Sequence, residues 1–319
     1  MNRPILVIKF AALGDVVQAF GPFAAIRAHH PRQKITLLTT PPYADLLAGS
    51  PWFDAFRTDG RPPWRDLRSV ARLALWLRRQ GFARIYDLQT SGRSSRYRIF
   101  VGTRPEWSGI AIGASHPHAN RARDRMHTAD RQREQLEMAG ITRFPEPQLT
   151  WLASDVSRFA LPPRYALLVP GASPGRPGKR WPLEHFVALA RRLEMPVAVA
   201  GSAAEAPLAA AIGGIDLTGK TSLRELATIA RGAALCIGND TGPVHLAAAM
   251  GAPTLALFGA DSDPALCAPR GRSAAVLRAW PIAAITPDQV LARLRGGSPF
   301  LGDLDPAAAL AGDAAQPGG

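Results

Sequence analysis

The stretch that decides the fold is Gly238-Asn239-Asp240-Thr241-Gly242-Pro243-Val244-His245-Leu246-Ala247-Ala248-Ala249-Met250-Gly251. It lies between two apolar runs, 234–237 and 254–258, that are typical of buried strands. It opens with a polar turn, in which Asp240 and Thr241 are candidate N-caps. A short apolar helix follows, and Gly251 is placed to end it. Such a helix start presents unpaired backbone N–H groups and a dipole that favours negative charge. The stretch therefore predicts either an ordinary capped helix in a β-α-β unit or a phosphate-binding site.

The same alternation of short apolar strands and helices extends over most of the chain. Further strands are predicted at 5–8, 35–38, 53–58, 84–88, 166–169, 197–200 and 215–217. Helices are predicted at 16–29, 43–48, 64–79, 129–139, 182–193, 204–212, 222–231 and 287–294. Alternation of this kind indicates an α/β fold with parallel sheets that helices cover on both faces.

Two interruptions of this alternation suggest how the chain is organised. Residues 113–125 carry two histidines and three arginines among small and polar residues, which predicts a mobile basic loop. Pro162-Pro163 marks a linker, so we predict two Rossmann-like domains, 1–160 and 161–295, that face a central cleft. The tail, 296–319, is rich in Gly, Pro, Ala and Asp and is predicted to be disordered.

Composition argues against several classes of protein. No apolar run reaches the roughly 18 residues that indicate a transmembrane helix, and the N-terminal segment lacks the layout of a signal peptide. The two cysteines, Cys236 and Cys267, predict neither a disulfide framework nor a zinc site. His116 and His118 have no third ligand at a usual spacing, so no metal is expected. We therefore expect a cytoplasmic protein without a metal cofactor.

The net charge of +13 comes mostly from arginine, because the chain has only four lysines: Lys9, Lys34, Lys179 and Lys220. The arginines are scattered instead of forming one tract, and both a solvated basic surface and a functional anionic partner remain open. An anionic membrane or a phosphorylated glycolipid suits this charge as well as nucleic acid does. Since no RNP, helix-turn-helix or zinc-finger motif is present, nucleic acid is not the expected partner.

Polar segments follow several of the predicted strands where those strands end. They are 13–15, 87–89, 170–173, 201–202 and 239–242. Because ligands of open parallel sheets bind outside the carboxyl ends of the strands, these segments predict a ligand site.

Several of these segments, in the same order along the chain, resemble sequence motifs of glycosyltransferase family 9, the heptosyltransferases of lipopolysaccharide core assembly and their relatives. The matching segments are Leu13-Gly14-Asp15-Val16-Val17, Tyr86-Asp87-Leu88-Gln89, Arg131-Gln132-Arg133-Glu134-Gln135-Leu136, Val169-Pro170-Gly171-Ala172-Ser173, Lys179-Arg180-Trp181-Pro182, Leu217-Thr218-Gly219-Lys220-Thr221 and Asn239-Asp240-Thr241-Gly242-Pro243. The resemblance covers residues 5–295 and implies a GT-B fold. It also implies metal-independent, inverting transfer of a sugar from a nucleotide diphosphate, ADP-heptose in the best-known members.

Two residues match the positions to which the family assigns catalysis. Asp15 matches the proposed general base, which takes the proton of the acceptor hydroxyl. The alternative is an N-cap aspartate, and a helix N-terminus would also weaken its basicity. Lys179 matches the lysine that binds the departing diphosphate, for which a point charge is suitable. Its alternative is a solvated loop lysine.

The resemblance assigns further residues to substrate binding. They are Gly14 in the catalytic loop, Ser173 near the phosphates, Glu205 on the ribose, Leu223 near the base, and Asp240, Thr241, Gly242 and His245 around the phosphates. Thr241 and Gly242 would donate backbone N–H groups. Asp240 would repel phosphate, so we expect it to cap the helix or to hold a sugar hydroxyl. His245 is open between a site role and a hydrogen-bonded core histidine.

The expected function is transfer of a sugar to a lipid-linked, phosphorylated acceptor at the cytoplasmic face of an anionic bacterial inner membrane. Two rivals remain open. Another GT-B enzyme, such as a nucleotide-sugar epimerase, would turn over the donor without an acceptor. A basic nucleotide-sugar or nucleic-acid binding protein would have no catalytic base at all.

Overall fold

The computed structural model describes residues 3–173 and 175–295. The chain divides into a first compact unit, which ends at Leu152, and a second, which begins at Ala153. This division falls earlier than the predicted boundary after residue 160, and the predicted disordered tail, 296–319, lies outside the described residues. Each unit is built on a parallel six-stranded sheet, which confirms the predicted pair of Rossmann-like units.

The sheet of the first unit has the strand order β3-β2-β1-β4-β5-β6. Its strands are β1 (Ile5–Ile8), β2 (Ile35–Leu38), β3 (Ala55–Arg57), β4 (Arg84–Asp87), β5 (Glu106–Gly109) and β6 (His116–Pro117). β1 and β2 are buried along their whole length, which explains why they read as continuous apolar runs. Ile8, the last residue of β1, is in register with Leu38 on one side and Asp87 on the other. The carboxyl ends of β1 and β4 therefore meet where the strand order reverses, the usual place for a ligand.

Six α-helices accompany this sheet in the described part of the first unit. They are α1 (Leu13–Val17), α2 (Phe20–His29), α3 (Pro41–Leu47), α4 (Leu67–Arg79), α5 (Gly92–Val101) and α6 (Thr128–Met138). Asp66 caps α4, because its carboxylate accepts the backbone N–H of Ser69 at 3.1 Å. Leu73 and Leu77 then point from α4 into a core that includes Leu6 and Ile8. The inner face of α4 is thus occupied by the core.

Two predictions for the first unit are wrong in detail. The helix predicted at 16–29 is two helices, because the last turn of α1 tightens: the N–H of Gln18 bonds Gly14 O and that of Ala19 bonds Val16 O. The loop predicted at 113–125 contains the edge strand β6 and a 3₁₀ turn, Arg123–Arg125. β6 pairs with β5 through backbone groups that the polar composition of the segment does not reveal.

The sheet of the second unit has the order β12-β11-β10-β7-β8-β9. Its strands are β7 (Ala166–Val169), β8 (Val197–Val199), β9 (Ile215–Asp216), β10 (Leu235–Asn239), β11 (Thr254–Phe258) and β12 (Ala274–Arg278). Its helices are α7 (Leu183–Arg192), α8 (Ala206–Ile212), α9 (Leu223–Gly232), α10 (Gly242–Ala249), α11 (Pro264–Cys267) and α12 (Pro287–Arg295). The strand order reverses between β7 and β10, so the segments after Val169 and Asn239 adjoin.

Gly251 ends α10 as predicted. Its backbone adopts φ +87°, its N–H bonds Ala248 O at 3.1 Å, and the next N–H, of Ala252, bonds Ala247 O at 3.1 Å. This pair of bonds is the Schellman arrangement, which favours glycine at the left-handed position.

Within residues 3–173 and 175–295, no helix is both long and apolar enough to cross a membrane.

Candidate active site

Asp15 lies at the start of α1, in the segment that follows β1. It is the third residue of that helix and is half-buried, and its Oδ2 accepts the backbone N–H of Ala12 at 3.1 Å. Gln89, just beyond β4, holds the same segment, since its Oε1 accepts the N–H of Phe10 at 2.8 Å and of Ala11 at 3.2 Å. Asp15 therefore makes a bond typical of a helix cap, and its side chain is still accessible to solvent. This arrangement suits both the general base and the N-cap aspartate that the sequence left open. Gly14 lies beside it in α1.

A buried pair of opposite charges lies behind this segment. The Nζ of Lys9 donates to Leu88 O at 3.2 Å, and burial lowers the pKa of Lys9 against the attraction of Asp15. Asp87 has no exposed surface; its Oδ1 accepts the N–H of Thr90 at 3.0 Å, while its Oδ2 has no hydrogen-bond partner. Burial raises the pKa of Asp87 to about 6 and outweighs the hydrogen bonds of Ser94 and of the Thr90 N–H, and the charge of Lys9, all of which lower that pKa.

Two arginines and a glutamine complete what we call the basic recess: Lys9, Asp87, Arg123, Arg131 and Gln132. Arg131 interacts electrostatically with Lys9, and Arg123 with both Arg131 and Asp87. Both amide atoms of buried Gln132 and the Nη2 of Arg123 lack hydrogen-bond partners. Gln132 lies one turn from Gln135, whose Nε2 donates to Asp87 O at 3.0 Å. Asp124, whose side chain is 79% exposed, pairs with Arg123 at 2.8 Å and with Arg131 at 3.8 Å. The recess thus collects buried, unsatisfied polar groups beside three cations, which is where a polar ligand would find partners.

Sequence reasoning missed the binding potential of this recess. Arg123 belongs to the segment for which no role was predicted, and Arg131 and Gln132 entered only as part of a family motif. The available signal was the motif beginning at Tyr86-Asp87, which places a carboxylate at the end of a strand. Nothing in the sequence shows that Arg123 reaches that carboxylate.

The second unit brings Lys179, Asp240 and His245 together at the end of β10. The Nζ of Lys179 lies 2.5 Å from Asp240 Oδ2, and the Nε2 of His245 lies 3.2 Å from Asp240 Oδ1. Burial by itself raises the pKa of Asp240, but the hydrogen bonds with His245 and Lys179 outweigh it and hold that pKa at about 2. We call these three residues the charged triad. Its aspartate is ionised at neutral pH and fixes the direction of the Lys179 side chain.

The two predicted caps of α10 do not cap it. Thr241 occupies the N-cap position, but its hydroxyl donates to Asn239 O at 3.2 Å, and no side chain caps the helix. Asp240 does not cap it either, because its carboxylate is engaged by Lys179 and His245. The helix start at Thr241 and Gly242 is left without a side-chain anion, so its dipole stays available to a phosphate.

Asn239 is a further site residue, and the sequence reading gave it no separate role. Its buried side chain donates to Pro170 O at 2.8 Å and accepts the N–H of Trp181 at 3.0 Å. Asn239 thereby links two loops to the start of α10: the loop after β7 and the loop on which Lys179 lies. Asp261 holds the second loop from the other side, since its Oδ2 accepts the N–H of Gly178 at 2.8 Å.

Glu205 lies against the loop after β7. Its Oε2 accepts the N–H of Ser202, and a Cβ built on Gly171 would stand only 2.0 Å from its Oε1. Only glycine at 171 allows this approach. Ser173 is exposed in the same loop, and Leu223 is half-buried at the first position of α9. Neither side chain takes part in the hydrogen-bond network around the charged triad.

Comparison with known proteins assigns the chain to a family. The model of glycosyltransferase family 9 (heptosyltransferase) matches residues 70–289. The chain belongs to glycosyltransferase family 9. It is therefore a glycosyltransferase, as the resemblance of its motifs implied.

Relatives in this family cover most of the chain at low identity. Over 302 residues the chain is 26% identical to lipopolysaccharide heptosyltransferase 1 of Pseudomonas aeruginosa, an alignment that covers 84% of this chain and 82% of that protein. A shorter segment of 122 residues is 34% identical to lipooligosaccharide heptosyltransferase 2 of Haemophilus influenzae and spans 34% of this chain and 35% of that protein.

A solved structure of Escherichia coli ADP-heptose lps heptosyltransferase II superimposes with a TM-score of 0.76 at 22% identity, over 98% of this chain and 100% of that one. This likeness confirms the predicted GT-B fold class. In the described part of this glycosyltransferase, no group of three or more His, Cys, Asp or Glu side chains is placed to hold a metal ion.

Proposed function

We propose that this glycosyltransferase moves a heptose from ADP-heptose to a lipopolysaccharide core or related glycolipid acceptor, by an inverting, metal-independent reaction. The observation that carries the proposal is the charged triad beside the uncapped start of α10. A structurally similar enzyme named as an ADP-heptose transferase supports the choice of donor.

The charged triad and α10 would meet the negative charge of the leaving diphosphate. The Lys179 ammonium donates to Asp240 Oδ2 at 2.5 Å and to Asp240 O at 3.5 Å, which leaves its third hydrogen for a phosphate oxygen. Thr241 and Gly242 would add backbone N–H groups at the positive end of the helix dipole. His245 would keep Asp240 in place by its contact at 3.2 Å. Together these groups would stabilise the charge that develops as the bond to ADP breaks.

Asp15 would act on the acceptor. Its carboxylate would take the proton of the acceptor hydroxyl while that oxygen attacks the anomeric carbon from the side opposite ADP. One bond forms to the acceptor, one breaks to the diphosphate, and the configuration of the sugar inverts. The bond from Ala12 N–H to Asp15 Oδ2 would hold the carboxylate in one orientation during this step.

The basic recess supports an acidic acceptor. The recess holds three cations, Lys9, Arg123 and Arg131, beside the buried carboxylate of Asp87, and the exposed Asp124 pairs with both arginines. Lys9 also interacts electrostatically with Asp15. A phosphate or carboxylate on the acceptor would pair with these cations close to the proposed base. Such acceptors are lipid-linked, so we also propose that the enzyme works at the cytoplasmic face of the inner membrane in peripheral contact with anionic lipid. Gly14, Ser173, Glu205 and Leu223 would contact the substrates as the family resemblance implies.

A thermal-shift screen of nucleotide sugars tests the donor assignment. ADP-heptose at about 100 times its Kd should stabilise the protein by about 2.7 kcal/mol, whereas UDP and GDP sugars should not stabilise it. Lys179→Met should lose most of this shift, and Lys34→Met, which removes an exposed lysine elsewhere, should keep it. Absence of a shift with every nucleotide sugar would refute the proposal. Turnover of ADP-heptose without an acceptor would indicate an epimerase instead.

A further inference from the structure

The exposed large apolar side chains of this enzyme are concentrated in one part of the first unit. Of the eight in the described residues, six lie between residues 64 and 112: Trp64, Leu67, Leu75, Ile99, Ile110 and Ile112. Isolated exposed apolar residues need no explanation, but a concentration of them marks an interaction surface.

The outer side of α4 carries apolar and basic side chains together. Leu67 is 74% exposed and Leu75 is 47% exposed, and Arg68, Arg72 and Arg79 are exposed as well. With about 3.6 residues per turn, the three arginines lie within about 60° of Leu75 around the helix axis, and Leu67 lies about 80° from Leu75. The core is already packed by the opposite side of α4, so burial within the first unit does not account for the exposed leucines.

Trp64 joins this surface to α5. Its ring lies 6.3 Å from the ring of Tyr97 and 6.4 Å from that of Phe100, and the guanidinium of Arg93 stacks over it at 4.6 Å. Ile99, 74% exposed, stands nearly one turn beyond exposed Arg96 on the outer side of α5. We call the exposed sides of α4 and α5, together with Trp64, the α4–α5 face.

The charged side chains within α4 and α5 have only one sign, whereas the exposed N-cap residue of α4, Asp66, is acidic and interacts electrostatically with Arg72. Neither helix contains an Asp or Glu, while α4 has four arginines and α5 has three. Two exposed arginines on other helices do pair with acidic side chains: Arg133 with Glu137 at 2.9 Å, and Arg192 with Asp288 at 2.5 Å. A helix that combines exposed leucines with several arginines, and that begins near a tryptophan, has the chemistry of a helix lying in an anionic lipid headgroup layer.

We propose that the α4–α5 face docks this enzyme on an anionic phospholipid bilayer. Leu67, Leu75 and Ile99 enter the boundary of the acyl chains, and the arginines extend to the lipid phosphates. The inference rests on the proposed function only in taking the acceptor to be membrane-borne. It adds the surface that makes the contact, which is separate from the basic recess and the charged triad.

Vesicle sedimentation of the full chain tests this docking surface. The protein should sediment with phosphatidylcholine vesicles that contain phosphatidylglycerol, should not sediment with pure phosphatidylcholine, and should be released by salt. Because each arginine near such a surface contributes about 1 kcal/mol, or about fivefold, R68E/R72E/R79E should weaken the partition coefficient by about 100-fold or more. The matched control R164E/R191E/R272E makes the same change in net charge on exposed arginines of the second unit and should retain most of the binding.

A second pair of variants tests the apolar contribution. Leu67→Gln with Leu75→Gln should weaken vesicle binding with the arginines intact, and the circular dichroism and Tm of all variants should match those of the parent. Equal loss in R164E/R191E/R272E would overturn the proposal, since net charge alone would then explain binding. The proposal would also be overturned if the parent does not bind vesicles and light scattering shows that the parent is a dimer while the α4 variants are monomers. That result would assign the face to a second copy of the chain.

The outcome is independent of the donor assignment. The α4 variants should keep the full thermal shift with ADP-heptose and the full turnover of a short, delipidated acceptor, and should lose turnover of the same acceptor embedded in vesicles. A protein that binds anionic vesicles through this face but no nucleotide sugar would refute the proposed function and leave the docking surface standing.

Discussion

At the residue scale, the two units place carboxylates in opposite electrostatic environments. Asp240 is buried between Lys179 and His245, and its pKa stays at about 2. Asp87 is buried beside Lys9, yet its Oδ2 has no hydrogen-bond partner and its pKa rises to about 6. At Asp240 the hydrogen bonds with His245 and Lys179 and the adjacent ammonium charge outweigh burial. At Asp87 the neutral hydrogen bonds of Ser94 and Thr90 and the charge of Lys9 do not offset complete burial. Asp240 is suited to hold a cation permanently, whereas Asp87 changes charge close to physiological pH.

This property of Asp87 predicts an unusual pH dependence of stability. Its pKa is higher in the folded protein than the ordinary value of 3.8, so the stability that protonated Asp87 contributes to the parent protein is lost as the pH rises from about 4 through 6. Asp87→Asn removes that titration and keeps the bond from Thr90 N–H. We expect the variant to match the parent near pH 4 and to exceed it at pH 8 by at most about 3 kcal/mol, reduced by the lost attraction to Lys9.

Urea unfolding between pH 4 and pH 8 measures this effect. Asp45→Asn is the control, because it makes the same chemical change at an exposed carboxylate of α3. A difference between Asp87→Asn and the parent that stays constant across the whole pH range would contradict the expected titration.

At the element scale, the predictable parts of the fold are those whose local physics repeats. β1, β7 and β10 are buried on both faces, so their sequences are short apolar runs that reveal them directly. β5 and the edge strand β6 carry Glu, Ser, Gly and His instead of an apolar run, and no strand was predicted there. Local sequence therefore identifies the strands whose residues are continuously apolar and misses those that pair through backbone groups with polar side chains.

The turn at the end of α10 gives the element-scale prediction. A Cβ on Gly251 would meet nothing within 4 Å, yet its φ of +87° is unfavourable for any residue with a side chain. Gly251→Ala should therefore destabilise the protein by about 1 kcal/mol, through backbone conformation alone. Gly21→Ala, in α2, is the matched control, since that site is equally open and its φ is negative. It should be neutral or stabilising by up to about 1 kcal/mol in chemical denaturation, and equal destabilisation by both changes would contradict the argument.

The candidate site was only partly predictable, because its contacts join distant segments. Lys179 and Asp240 are 61 positions apart, and a motif can name each of them without showing that they pair. The prediction that Asp240 caps α10 was wrong for this reason: a nearby helix start is visible in sequence, and a lysine from another loop is not. The basic recess was not predicted for the same reason, because Arg123 interacts electrostatically with Asp87 from a segment without a recognisable pattern.

At the scale of the whole molecule, the proposed chemistry is divided between the two units, with Asp15 in the first and Lys179 and the start of α10 in the second. One substitution should therefore separate chemistry from donor binding. Asp15→Asn keeps an oxygen that can accept the N–H of Ala12, so α1 should begin where it does now. It cannot take a proton from the acceptor, and kcat should fall by about 10²- to 10⁴-fold.

The thermal shift of Asp15→Asn with ADP-heptose should equal that of the parent, because the donor groups belong to the other unit. Asp45→Asn, which changes an exposed carboxylate of α3, should leave both kcat and the shift unaltered. If Asp15→Asn turns over within about threefold of the parent, Asp15 is only the cap of α1, and the base must be sought elsewhere. If kcat and the thermal shift fall together, the first unit contributes to donor binding, and the assignment of one substrate to each unit is wrong.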